Sequence, residues 1–229
     1  MEKSIKPFLA KAKACYELKE LERLGLTPTL PQRDQIIHFI ALLLKWNKAA
    51  GLISPKDEAN VFIRHFCDSL QPLLLFGFKK NGTVLDIGAG GGFPSLPIAI
   101  FRPDLKFVLA ESNRKKAVFL KELQSDLALL NMQVHNGRAE TIDTTKMEKK
   151  FDYVLSRGVG SLAEFATLAK PLIHPDGNMY TFKSKTFAEE LSEITSGKLA
   201  KGIRIREIAE YDLANQILGL NLVSLELTK

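Results

Sequence analysis

Cysteine is almost missing from this 229-residue chain: there are two, Cys15 and Cys67, far apart and at no metal or redox spacing. Buried thiols in a reducing compartment are the expected reading. Histidines, cysteines and acids nowhere gather at ligand spacing, so no metal is expected. No apolar run reaches the about 18 residues of a spanning helix, so no membrane partner is expected. The first residues, Met1-Glu2-Lys3-Ser4-Ile5-Lys6, carry no secretory apolar region, and a cytoplasmic location is expected. No internal repeat or low-complexity tract is visible. Tryptophan occurs once, and Trp46 lies in an amphipathic helical pattern, as core rather than as a platform for stacking bases.

What is present is the balance of an ordinary globular chain, 45% hydrophobic and 25% charged. The length suits one domain with an appendage and permits a large core without staples. The net charge of +6 permits a nucleic-acid partner without requiring one.

One stretch organises the rest: Val84-Leu85-Asp86-Ile87-Gly88-Ala89-Gly90-Gly91-Gly92-Phe93-Pro94. An apolar run, alternating glycines and a proline-led apolar segment read as strand, tight turn and helix start. Free N–H groups at such a helix start favour a polar or anionic ligand group. A dinucleotide fingerprint, G-x-G-x-x-G, needs a third glycine where Phe93 stands, or at Ser95 if counted from Gly90. The G-x-G-x-G run resembles the nucleotide-binding loop of class I S-adenosylmethionine (SAM) methyltransferases. A dinucleotide site and a plain glycine turn are the alternatives.

Before the loop the pattern is helical, over Pro7–Leu24, Gln32–Ala50, a segment from Ser54-Pro55, and Leu70–Phe76. A helical extension over residues 1–78 and a second unit over 79–229 are therefore expected, as one compact body. Strands and helices alternate after the loop. The expected strands are Thr83–Asp86, Lys106–Ala110, Gln133–Asn136, Asp152–Ser156, Asn178–Phe182, Ile203–Tyr211 and Leu220–Leu227. The expected helices are Pro94–Phe101, Arg114–Leu130, Leu162–Ile173 and Ala188–Leu199. This predicts an α/β, Rossmann-like class I methyltransferase sheet, seven-stranded and mostly parallel, closed by an antiparallel terminal pair.

Ligands of open α/β sheets bind beyond the carboxyl ends of the strands. There the first strand delivers Gly88 and Gly90. Glu111 ends the second, about 20 residues on, where an acid accepts from ribose hydroxyls; a solvated surface acid is the alternative. Past the third strand, the Ala139 N–H suits an adenine ring nitrogen and the Glu140 carboxylate an adenine amino group. Alternatively, Glu140 opens a helical turn. Arg157 ends the fourth strand, against a SAM carboxylate, an RNA phosphate or a structural ion-pair partner. Lys183 and Lys185 follow the fifth, facing RNA or solvent. Arg64 and His65 precede the sheet; His65 fits packing or a local hydrogen bond.

Several stretches together resemble one family. Lys45-Trp46-Asn47-Lys48 with Gly51-Leu52-Ile53-Ser54, Arg64-His65-Phe66-Cys67-Asp68-Ser69, the glycine loop through Phe93-Pro94 and Ala99, and Leu155-Ser156-Arg157 with Ser161-Leu162 match its motifs. It is the bacterial small-subunit (16S) ribosomal RNA guanine-N7 methyltransferase family, RsmG or glucose-inhibited division protein B. The resemblance spans roughly residues 40–185. It implies SAM as cofactor, with contacts at Gly88, Phe93, Ala139, Glu140 and Arg157, and ribosomal RNA or the small ribosomal subunit as partner. Gly51, Ser95 and Gly158 stand where the family has asparagine, glycine and alanine. The Leu220–Leu227 stretch matches the family poorly. Guanine N7 carries a lone pair and loses no proton on methylation, so no general base is required. The competing readings are a dinucleotide-dependent oxidoreductase and a non-catalytic RNA-binding module on the same fold.

Overall fold

The computed structural model describes residues 2–143, 150–184, 187, 190–191, 201–215 and 217–228, with side chains from residue 5 onward. Most of the expected helix Ala188–Leu199 lies outside the described residues, as does Lys185.

The expected helix Pro7–Leu24 is two helices, α1 (Glu2–Cys15) and α2 (Leu18–Arg23). The break falls at Tyr16-Glu17, where Glu17 is extended and the Tyr16 ring meets Phe62 edge-on at 5.1 Å. α3 (Leu30–Ala50) starts with a capping box of Thr29 and Gln32, which satisfies two otherwise free donors. It ends on Gly51 in the left-handed region, φ 58° and ψ 56°. Asn47 secures that end, because its Oδ1 accepts from the N–H groups of Leu52 and Ile53, both at 2.9 Å. A 3-10 turn (Pro55–Asn60), a π-helix (Phe62–Cys67) and α4 (Gln71–Leu75) lead to the sheet.

The strands are β1 (Thr83–Ile87), β2 (Lys106–Ala110), β3 (Met132–His135), β4 (Phe151–Arg157), β5 (Ile173–Lys183), β6 (Ile203–Leu213) and β7 (Ile217–Leu227). Their order is β3-β2-β1-β4-β5-β7-β6. The first five pair in parallel, and β7 joins β5 and β6 antiparallel. α5 (Ser95–Phe101), α6 (Arg114–Asp126) and α7 (Leu162–Ala169) supply the crossovers. α6 stops four residues before the expected Leu130, because Ala128 turns to φ 50°. α7 ends short of Ile173, which instead opens β5 opposite Phe151.

The core lies on both faces of the sheet. On one face Phe39, Ile40 and Leu43 of α3 join Leu96, Phe107 and Leu120. On the other, Phe165 and Ala166 of α7 meet Val154, Met179 and Val223. Fully burying side chains of this size contributes roughly 1.5–3 kcal/mol each before entropy is counted. α3 is tied to the sheet unit by polar bonds too: Gln32 Nε2 donates to the Ile100 carbonyl and Gln35 Nε2 to that of Leu127, each at 2.9 Å. The carboxyl end of β4 meets the π-helix through Arg157, and Phe93, past β1, stacks on His65.

Candidate active site

The glycine loop closes over its own strand neighbour. The Gly88 and Ala89 N–H groups both donate to the Ala110 carbonyl, at 2.9 and 3.2 Å. Gly88, Gly90 and Gly92 all have positive φ, which glycine adopts without steric cost. At Gly88 there is also no room, since an added Cβ would lie 2.7 Å from Cγ2 of Val159. Glu111, at the end of β2, is buried against the loop. One of its oxygens accepts from the Gly90 N–H at 2.9 Å, the other from the Asn113 N–H at 2.7 Å. Each oxygen retains a lone pair for a further donor. Beneath the loop, Asp86 is fully buried, and burial pushes its carboxyl up to about 7 despite donation from Ser95. Its Oδ1 has no partner among the described residues.

Arg157, at the end of β4, belongs to a second cluster. Its Nη2 pairs with Asp68 Oδ2 at 2.8 Å and donates to the Arg64 carbonyl at 2.8 Å. Its Nη1 donates to His65 Nδ1 at 3.0 Å. The guanidinium lies 5.9 Å from the Phe93 ring centre and 5.8 Å from that of Phe182. His65 stacks on Phe93 at 5.3 Å, and its Nε2 faces Asp57 Oδ2 at 3.3 Å. Burial first, then the Arg157 charge, depresses its pKa to about 4, against the opposing pull of Asp57. With both ring nitrogens engaged and the ring neutral, His65 is not arranged as a base. Arg64 pairs with Asp57 at 3.1 Å and is half-exposed.

The remaining sequence-derived positions lie around these two clusters. Ala139, buried, and Glu140, exposed, form a 3-10 turn past β3. That segment is tied to the end of β2 through Gly137 N–H and Asn136 Nδ2, which donate to the Glu111 carbonyl at 3.0 and 3.1 Å. Lys183, at the end of β5, is turned inward: its Nζ donates to the Gly160 carbonyl at 3.1 Å and pairs with Glu190 at 2.8 Å. Among the described residues no group of three or more metal-ligating side chains occurs, and no helix is long and apolar enough to cross a membrane.

A family model described as rRNA small subunit methyltransferase G (GidB) matches residues 32–215. The chain belongs to this family. Two relatives carry the name ribosomal RNA small subunit methyltransferase G. The one from Staphylococcus epidermidis is 33% identical over 195 residues, 85% of this chain and 82% of the relative. The one from Lactobacillus helveticus is 35% identical over 191 residues, 80% of each chain. Among solved structures, precorrin-6y C5,15-methyltransferase from Geobacter metallireducens superposes with a TM-score of 0.51 at 14% identity. That match covers 79% of this chain and 92% of the other, and it shows the shared class I methyltransferase fold.

Within the frame of this methyltransferase family, three residues of the Arg157 cluster had not been singled out from sequence: Asp57, Asp68 and Tyr211. Asp68 stands in the quoted Arg64–Ser69 stretch, where an acid amid buried apolar residues was the available signal. Nothing local distinguished Tyr211, 143 residues away, whose hydroxyl donates to Asp68 at 2.6 Å.

Proposed function

We propose that the chain transfers a methyl group from SAM to N7 of a guanine in small-subunit ribosomal RNA, in the cytoplasm. The observation that carries this reading is the family match over residues 32–215, with the glycine loop inside it. An rRNA methyltransferase of this family uses SAM, and the residues at the loop fit such a group. Gly88 turns the loop at positive φ without a side chain against Val159, and Glu111 retains lone pairs beside Gly90. Bound SAM supplies an electrophilic methyl on a sulfonium.

In this reading, Gly88, Gly90 and Phe93 line the cofactor's approach and Glu111 accepts from its ribose hydroxyls. Ala139 and Glu140 face its adenine. Arg157 offers its remaining N–H groups to the carboxylate. The protein's contribution to rate is orientation of N7 in line with the methyl and exclusion of water, without proton transfer. The neutral, doubly bonded His65 agrees with a site that needs no base. Arg64, His65, Lys183 and Lys185 are assigned to the RNA side. For Lys183 this requires release from Glu190. Residues 1–78 act as an extension packed on 79–229, in one unit, supported by the apolar cluster that α3 shares with α5 and α6.

The test is single-turnover methylation of small subunits and of naked ribosomal RNA with labelled SAM, followed by N7-specific strand cleavage. One cleaved guanine is expected, and label that resists cleavage would overturn the N7 assignment. RNA affinity should fall log-linearly with salt if phosphates are bound. A flat response would remove the nucleic-acid substrate.

A further inference from the structure

A chain of partly buried polar contacts joins the C-terminal hairpin to the helical extension through the site. Tyr211 of β6 donates to Asp68 Oδ1, Asp68 Oδ2 pairs with Arg157 Nη2, and Arg157 Nη1 reaches His65 Nδ1. Asp68 is 4% exposed, and burial raises its carboxyl above the usual range against the pull of Arg157 and Tyr211. A carboxylate so buried needs a donor at each oxygen. Arg157 satisfies one and the Tyr211 hydroxyl the other. The guanidinium is planar, so fixing Nη2 and Nη1 fixes its orientation between the Phe93 and Phe182 rings.

We propose that Tyr211 is a positioning residue for the methyl-transfer site. Acting through Asp68, it sets the orientation of Arg157. Through the Arg157–His65 bond and the His65–Phe93 stack it sets the place of Phe93 beside the glycine loop. Without the hydroxyl, Asp68 Oδ1 draws a second donor from Arg157. The guanidinium turns into a two-pronged fork on Asp68 and gives up His65. The inference rests on the proposed assignment of Arg157 and Phe93 to the cofactor site.

The experiment uses the full chain with Tyr211→Phe, Asp68→Asn and the double variant. SAM affinity is read by calorimetry, and KM for SAM against kcat by methylation of small subunits. Tyr211→Phe should weaken SAM about tenfold, which corresponds to the loss of about 1.4 kcal/mol. Asp68→Asn should weaken it at least as much, and the double variant no more than Asp68→Asn alone, because both act through one link. Tyr211→Phe with a lowered melting temperature but wild-type SAM affinity and KM would make the residue merely structural and overturn the proposal. So would strictly additive losses. Should Tyr211→Phe not fold, Asp68→Asn decides, and wild-type affinity there overturns it equally. Arg157→Lys separates the two levels. If it binds and methylates normally, the assignment of Arg157 fails. If it is impaired while Tyr211→Phe is normal, only the present inference fails.

Discussion

The glycine loop and the Arg157 cluster lie side by side at the carboxyl ends of β1 and β4, touching through the Phe93 ring. The loop is made of main-chain groups from one short stretch, held by the next strand and by Glu111. The cluster is made of side chains from the 3-10 turn, the π-helix and its exit, β4 and β6, held by charge and hydrogen bonds. Main-chain cradles depend on backbone shape and tolerate no added side chain. Side-chain clusters depend on mutual satisfaction, and fail when one partner is left buried and unpaired.

The sharpest break in this contrast is Gly88→Val. The branched side chain would meet Val159 in a backbone conformation that valine does not share, so SAM binding should be abolished in a folded protein. Calorimetry with SAM and circular dichroism check this, and undiminished affinity would remove the loop from the site. Next comes Arg157→Lys, which keeps the charge but not the fork. A charge-assisted contact of about 1.5–3 kcal/mol is at stake, or roughly 10- to 150-fold in SAM affinity. A loss of turnover on RNA with SAM binding intact would instead assign Arg157 to the nucleic acid.

A third experiment concerns pH. His65 is depressed to about 4 in the fold, against about 6.5 when unfolded. Between those values the unfolded chain binds a proton that the native one does not, so stability falls as pH drops from about 6.5 towards 4. At pH 5 this amounts to roughly 2 kcal/mol, which His65→Gln should remove. Urea unfolding at pH 7 and pH 5 measures it. Equal pH slopes in the two proteins would mean that His65 is not held neutral by its surroundings.

The same contrast explains how much was legible in advance. Gly88, Gly90 and Phe93 are near neighbours in sequence, and alternating glycines after an apolar run announce a strand, a turn and a helix. The parallel strands follow from alternation, and the antiparallel pair from the lack of a crossover between its members, but the order that sets β7 between β5 and β6 does not. Tyr211 and Asp57 announce nothing, because their meaning depends on partners that only the fold supplies. Arg157 could be seen at a strand end, but not that Asp68 occupies one side of its guanidinium. Lys183 read as an outward cation because a sequence cannot show that β5 delivers it to the Gly160 carbonyl. Helix ends were displaced for local reasons, as at Ala128 with its positive φ, a conformation alanine rarely announces.

The end of α3 bears on what a departure from a motif means. Gly51 takes the place of the asparagine in the resembling element, at φ 58° and with nothing within 4 Å of where a Cβ would point. Left-handed backbone is open chiefly to glycine and asparagine. The two residues are therefore synonyms at this position, chosen by a torsion angle rather than by side-chain chemistry. Gly51→Asn should shift unfolding by no more than about 0.5 kcal/mol, the usual range for an exposed neutral change, whereas Gly51→Val should destabilise visibly in the same melt. Where a backbone angle is what is inherited, two different letters spell the same structure.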